Sequence, residues 1–173
     1  MSQLEDQSSV LIRVAEAVHL ADVHALYEHH VVHGTGSFEE VPPSIEEVAA
    51  RWRQRESRDQ PTLVALADNR FAGFAYAASH KERSAYRFTV EDSVYVSPDF
   101  AGRGVGRALL EALIETCSQR GFQQMMAVIG DSENHGSIAL HKACGFRHVG
   151  TAVGLGYKFG QWLDIVYMQR SLR

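Results

Sequence analysis

Apolar and polar positions recur along this chain with two periods, and the changes of period divide it into elements. Val10-Leu-Ile-Arg-Val-Ala15 reads as a first strand. From His19 to Val32 the apolar residues Leu20, Val23, Leu26, Tyr27 and Val31 fall at helical spacing. The breaker-rich loop Gly34–Pro43 follows. Ser44-Ile-Glu-Glu47 then has the form of a capping box and opens a second helix to about Arg58. Pro61–Ala67 and Phe71–Ala77 flank Asp68-Asn-Arg70 and predict a hairpin. After the polar segment His80–Tyr86, Thr89–Val96 reads as a strand. Gly104–Arg120 is an amphipathic helix stopped by Gly121, Gln124–Ile129 a buried strand, and Asn134–Cys144 a helix stopped by Gly145. Arg147–Ala152 and Trp162–Arg170 complete the series. The order β-α-α-β-β-β-α-β-α-β-β predicts an α/β (α+β) fold, a mixed sheet with helices on both faces. No repeat or low-complexity tract interrupts it.

Composition narrows the class. The 173 residues, 45% of them hydrophobic, suffice for one core, so a single domain is expected over 10–173 behind a polar, frayed stretch 1–9. Apolar runs are short and broken by charge, and the first residues lack the basic and apolar regions of a signal peptide. A cytoplasmic protein without a membrane partner is expected. Cys117 and Cys144 both fall in helical patterns, which favours reduced thiols. The net charge of −4 and the absence of a basic run argue against nucleic acid. An anionic ligand must therefore be held by local groups.

Such groups occur between Ser93–Ser97 and the helix that starts near Gly104. In Phe100-Ala-Gly-Arg-Gly-Val-Gly-Arg107, glycines at 102, 104 and 106 permit a tight loop that aims successive backbone N–H groups at one anion, and the helix N-terminus adds its positive end. Spacing separates the known phosphate loops. A dinucleotide fingerprint would need glycine at 107, where Arg107 stands, and the chain has no Gly-Lys-Ser/Thr triplet for a Walker loop.

The remaining pattern, Ala101-Gly-Arg-Gly104-Val-Gly106, resembles the coenzyme A loop of the GCN5-related N-acetyltransferases, with Ala101 where that family usually has Gln or Arg. Asn134-His-Gly-Ser-Ile-Ala-Leu-His-Lys-Ala-Cys-Gly-Phe146 is similar to the same superfamily's late helix, with His141 in place of the usual tyrosine. That replacement resembles the phosphinothricin and methionine sulfoximine N-acetyltransferases. Thr35–Glu39, Lys81–Tyr86, Thr89–Val96 and Lys158–Asp164 look like further blocks of that family, so the resemblance runs from about residue 11 to the end. It implies the acyl-CoA N-acyltransferase fold, a mostly antiparallel sheet, and acetyl-CoA as co-substrate. It also implies a small amino-acid-like substrate acetylated by direct attack, and a homodimer.

Acetyl transfer to an amine needs a held donor, a deprotonated amine, charge relief for the oxyanion and a proton for the leaving sulfur. The resemblance places the donor's diphosphate on Gly102, Arg103, Gly104, Val105, Gly106 and Arg107, and its arm against Asn134, Ala143 and the backbone of Val94, Tyr95 and Val96. Glu91 alternates with Thr89, Ser93 and Tyr95 onto one strand face and is the expected general base. Asn134 and His141, two helical turns apart, share a face, and His141 is the expected proton donor to the thiolate. Lys81 and Arg83 suit an acidic substrate, Phe38 and Tyr86 would wall its slot, and Lys158 is a weaker cation of the same kind.

Blander readings stand beside these: a plain buried strand at Val94–Val96, a solvent-facing Glu91, a surface His141, a solvated loop at Lys81–Arg83. His29 and His33 share a helix face, but no Glu completes a zinc motif and no cysteine is near, so no metal is expected. The same chemistry on another amine, or a coenzyme A sensor without catalysis, is the alternative function.

Overall fold

The computed structural model describes residues 10–173, so the expectation for 1–9 lies outside it. Seven strands form one sheet in the order β1-β2-β3-β4-β5-β7-β6. They are β1 (Leu11–Val14), β2 (Thr62–Ala67), β3 (Arg70–Ser79), β4 (Thr89–Val96), β5 (Gln124–Gly130), β6 (Arg147–Lys158) and β7 (Gln161–Ser171). The helices are α1 (Leu20–His33), α2 (Ile45–Ser57), α3 (Val105–Gln119) and α4 (His135–Ala143). Every strand pair is antiparallel except β4–β5.

Local chemistry accounts for most boundaries. Ser44 and Glu47 make both bonds of the capping box at α2, Glu47 N–H to Ser44 Oγ (3.2 Å) and Ser44 N–H to Glu47 Oε2 (2.8 Å). Asp68 and Asn69 both take positive φ in the two-residue β2–β3 turn, the twist that suits a hairpin. Val105, Leu109, Leu113 and Cys117 recur every fourth residue and bury one stripe of α3.

Two apolar clusters sandwich the sheet. One joins α3 to Val90, Met125, Ala127 and Phe146; the other joins α1 and α2 to Val64, Phe74 and Tyr95. Strand β4 thus shows Val90, Asp92, Val94 and Val96 to one side and Glu91, Ser93 and Tyr95 to the other.

The final hairpin is longer than the pattern predicts. β6 continues to Lys158, because Gly154 and Gly156 sit inside the strand rather than ending it. Residues 153–155 bulge opposite Asp164, whose Oδ1 accepts the Gly154 N–H at 2.9 Å. A bulge written with glycine resembles a break when only sequence periodicity is read.

Candidate active site

Strands β4 and β5 run in register only from Thr89↔Gln124 to Asp92↔Ala127. Beyond that, β4 stays with β3 as far as Gly73↔Val96, and β5 stays with β7 as far as Gly130↔Ile165. The sheet therefore splits, and the facing edges lose their ladder partners. A cavity of about 500 Å³ occupies the split, lined among others by Ser93, Val94, Val96, Gly130, Asn134 and His141. Tyr95 also borders it, while its ring packs against Phe74 (5.0 Å between centroids) and Tyr27 (5.3 Å). What Val94–Val96 offer a ligand is thus main chain. One carbonyl is already committed: His30 donates Nε2–H to Val96 O at 3.0 Å. Burial lowers the His30 pKa, which keeps that ring neutral.

The glycine loop closes one end of this split. Gly102 and Gly104 have φ of +74° and +79°, the left-handed region that favours glycine. The first helical bond of α3 runs from Ala108 N–H to Gly104 C=O, which leaves the amides of Val105, Gly106 and Arg107 without a helical partner. No acid stands in that first turn. A Cβ on Gly106 would lie 3.4 Å from both Val96 Cγ2 and Leu140 Cδ2, so this residue marks where α3, β4 and α4 meet. Arg103 pairs with Asp68 (2.8 Å) and Arg107 with Glu111 (2.8 Å). A diphosphate fits this corner: unpaired amides, a positive helix end and an open strand edge converge on it.

His141 is buried, not on the helix surface. Its Nε2 lies 2.8 Å from Asp92 Oδ2, and its Nδ1 donates to the Ser137 carbonyl at 2.7 Å. Burial is the largest single influence and opposes its charge, but the bond to Asp92, the Asp92 charge and the Ser137 carbonyl together exceed it, and the net effect raises its pKa. Asp92 gave no sequence signal of its own, since alternation turns it away from the face that carries Glu91. Asn134 caps α4 by accepting the Ser137 N–H on Oδ1 (3.1 Å), which leaves its Nδ2 donors for a ligand. Ala143 is exposed and lies away from the split, in a groove shared with Glu111 and Arg170.

Glu91 sits on the opposite face of β4. Its Oε2 is 3.5 Å from His80 Nδ1, an ion-pair distance without a hydrogen bond, and burial raises its pKa although His80 partly offsets this. Tyr86 meets the His80 ring edge-on at 5.8 Å, and Lys81 Nζ lies 5.5 Å from the Tyr86 ring centre. Arg83 caps the short turn Ser84–Tyr86 and is exposed. The chain thus gathers Lys81, Tyr86 and Glu91 around His80, a residue the sequence pattern did not single out.

Phe38 stands apart from this group. Its ring fills the gap between Gly130 and Gly156, where a Cβ on either glycine would collide with it. Lys158 is no substrate cation: it is 1% exposed, and its Nζ donates to Gly34 O (2.8 Å) and Ser37 O (2.6 Å). Cys117 and Cys144 are free and buried.

A sheet split beside a glycine loop and a helix N-terminus is the frame of an acyl-group transferase. The chain belongs to the acetyltransferase (GNAT) family, whose model matches residues 23–146. It is 48% identical over 161 residues to a phosphinothricin N-acetyltransferase of Alcaligenes faecalis, covering 93% of this chain and 82% of that protein. It is 34% identical to an L-methionine sulfoximine/L-methionine sulfone acetyltransferase of Salmonella typhimurium, covering 93% and 94%. The crystal structure of a phosphinothricin acetyltransferase from Sinorhizobium meliloti in complex with AcCoA matches with a TM-score of 0.90 at 42% identity, covering 94% of this chain and 88% of the other.

Proposed function

We propose that this enzyme transfers the acetyl group of acetyl-CoA to the α-amino group of a small amino-acid-like substrate by direct attack. Phosphinothricin, methionine sulfoximine and methionine sulfone are the substrates to try first. The observation that carries this reading is the loss of β4–β5 pairing after Asp92↔Ala127, which frees strand edge beside the glycine loop. An extended thioester arm can enter there as a short substitute strand.

Glu91 takes the ammonium proton on the α1/α2 side of β4, and His141 stands on the α3/α4 side where the thiolate departs. Lys81, Arg83 and Tyr86 recognise the acidic substrate near Glu91. Phe38 supports the wall of the slot through its packing against Gly130.

The free, buried thiols suit a reducing cytoplasm, and no helix among the described residues is long and apolar enough to cross a membrane. The enzyme works as a homodimer. Support comes from edge strand β6 and the start of β7, where Val149, Val153, Leu155 and Tyr157 on β6 and Trp162 on β7 are all exposed.

A thiol-release assay over a panel of amines tests the activity. Release with phosphinothricin or methionine sulfoximine supports it. Calorimetric binding of acetyl-CoA without release on any amine would favour a sensor instead.

A further inference from the structure

The buried Asp92–His141 pair has a definite proton count. Ser137 O can only accept, so His141 Nδ1 carries a hydrogen. Nε2 faces a carboxylate oxygen at 2.8 Å, a contact that needs one hydrogen between two lone pairs. With side chains only 5% and 2% exposed, the two groups satisfy each other directly rather than through bulk water. Nδ1–H is tied within its own helix turn, so the proton on the Asp92 side is the one free to leave. Asp92 Oδ1 is buried with no partner, although Asp92 itself borders the cavity.

We propose that Asp92 is the positioning residue for the acid half of the reaction: together with the Ser137 carbonyl it holds His141 doubly protonated, and the Nε2 proton ends on the sulfur of coenzyme A. This rests on the reading of the split as the thioester site. The nitrogen of the substrate ammonium forms the new C–N bond and gives up two protons. The C–S bond breaks with its electron pair on sulfur, which gains the proton that His141 Nε2 releases; both ammonium protons pass in turn through Glu91 to solvent. The pair is left as carboxylate against a bare Nε2, an unfavourable contact, and so recovers its proton from solvent.

The two thiols that feel the Asp92 charge stay protonated near neutral pH. On α3, burial pushes the Cys117 thiol up to about 12; Cys144, at the end of α4, is also raised by burial. Phe146, which meets the His141 ring edge-on at 5.0 Å, cannot titrate. Glu91 is adjacent in sequence but faces the other side of β4.

The test is Asp92→Asn, an isosteric change whose amide N–H can satisfy a neutral His141 at Nε2. Its kcat should fall about 100-fold with KM for acetyl-CoA within about twofold, the scale of a lost proton donor. The alkaline limb of kcat should move down toward the ordinary imidazole value of about 6.5. An unchanged limb overturns the proposal, whether or not the melting temperature drops. Nitrogen NMR on the unaltered protein needs no variant: at pH 7.5 both His141 nitrogens should carry hydrogen, and a bare Nε2 overturns the proposal as well. Calorimetry separates the two readings. No heat from acetyl-CoA with the unaltered protein removes the cavity assignment, and the role of Asp92 with it. Equal binding with equal kcat and pH profile in Asp92→Asn removes the role of Asp92 alone.

Discussion

Glu91 and Asp92 are consecutive, yet their carboxylates stand on opposite faces of β4, Glu91 beside His80 and Asp92 against His141. One strand thereby keeps two acid–imidazole pairs apart, with the sheet split directly beyond them. In the proposed mechanism, proton removal from the amine and proton delivery to the sulfur would run on separate sides, so that neither group neutralises the other.

Replacing Glu91 by Gln should lower kcat by about 100-fold or more. Burial raises the Glu91 pKa, so in the unaltered enzyme kcat/KM should rise with pH through a limb above the ordinary value of about 4.3. His80 offsets that rise, and His80→Ala must push the limb to higher pH. A pH–rate profile whose limb stays put in His80→Ala contradicts the coupling.

Gly156→Ala would drive a methyl into the Phe38 ring. A loss of about 3 kcal/mol is expected from such overpacking, read by urea unfolding. Adding Phe38→Leu should recover part of it, because neighbouring substitutions are not additive. Full additivity would show that the ring does not occupy this gap.

Lys158→Met removes the donor that the Gly34 and Ser37 carbonyls share, at a cost of about 2 kcal/mol. Gly34 and Thr35 line the cavity, so KM should rise more than kcat falls. An unchanged KM would detach this loop from the site.

Arg83→Ala should raise KM for acidic amino-acid analogues and leave KM for acetyl-CoA unaltered. Steady-state kinetics on phosphinothricin decides this; equal KM values refute substrate recognition by Arg83.

Leu155→Glu places a charge on the apolar outer face of β6 and should convert a dimer into a monomer. Light scattering on a sizing column reads the mass. A variant that remains dimeric assigns the contact elsewhere.

Local pattern alone determined a good deal: the capping box at Ser44, the stripe of α3, the hairpin at Asp68 and the glycine loop are encoded within a few residues of themselves. Their physics is short-range, a backbone bond or a helical period. Alternation also put Glu91 on the face opposite Asp92. Only the folded chain decided which imidazole each acid would meet, since His80 and His141 lie on different sides and His141 comes 49 residues after Asp92. The fold also turned Lys158 inward onto the early loop, 121 residues back at Ser37, and moved Phe38 into a slot shaped by two distant glycines. The point at which β4 and β5 part depends on how each strand pairs with its other neighbour. Such partners are chosen by packing across the whole sheet, and periodicity along one strand carries no record of them.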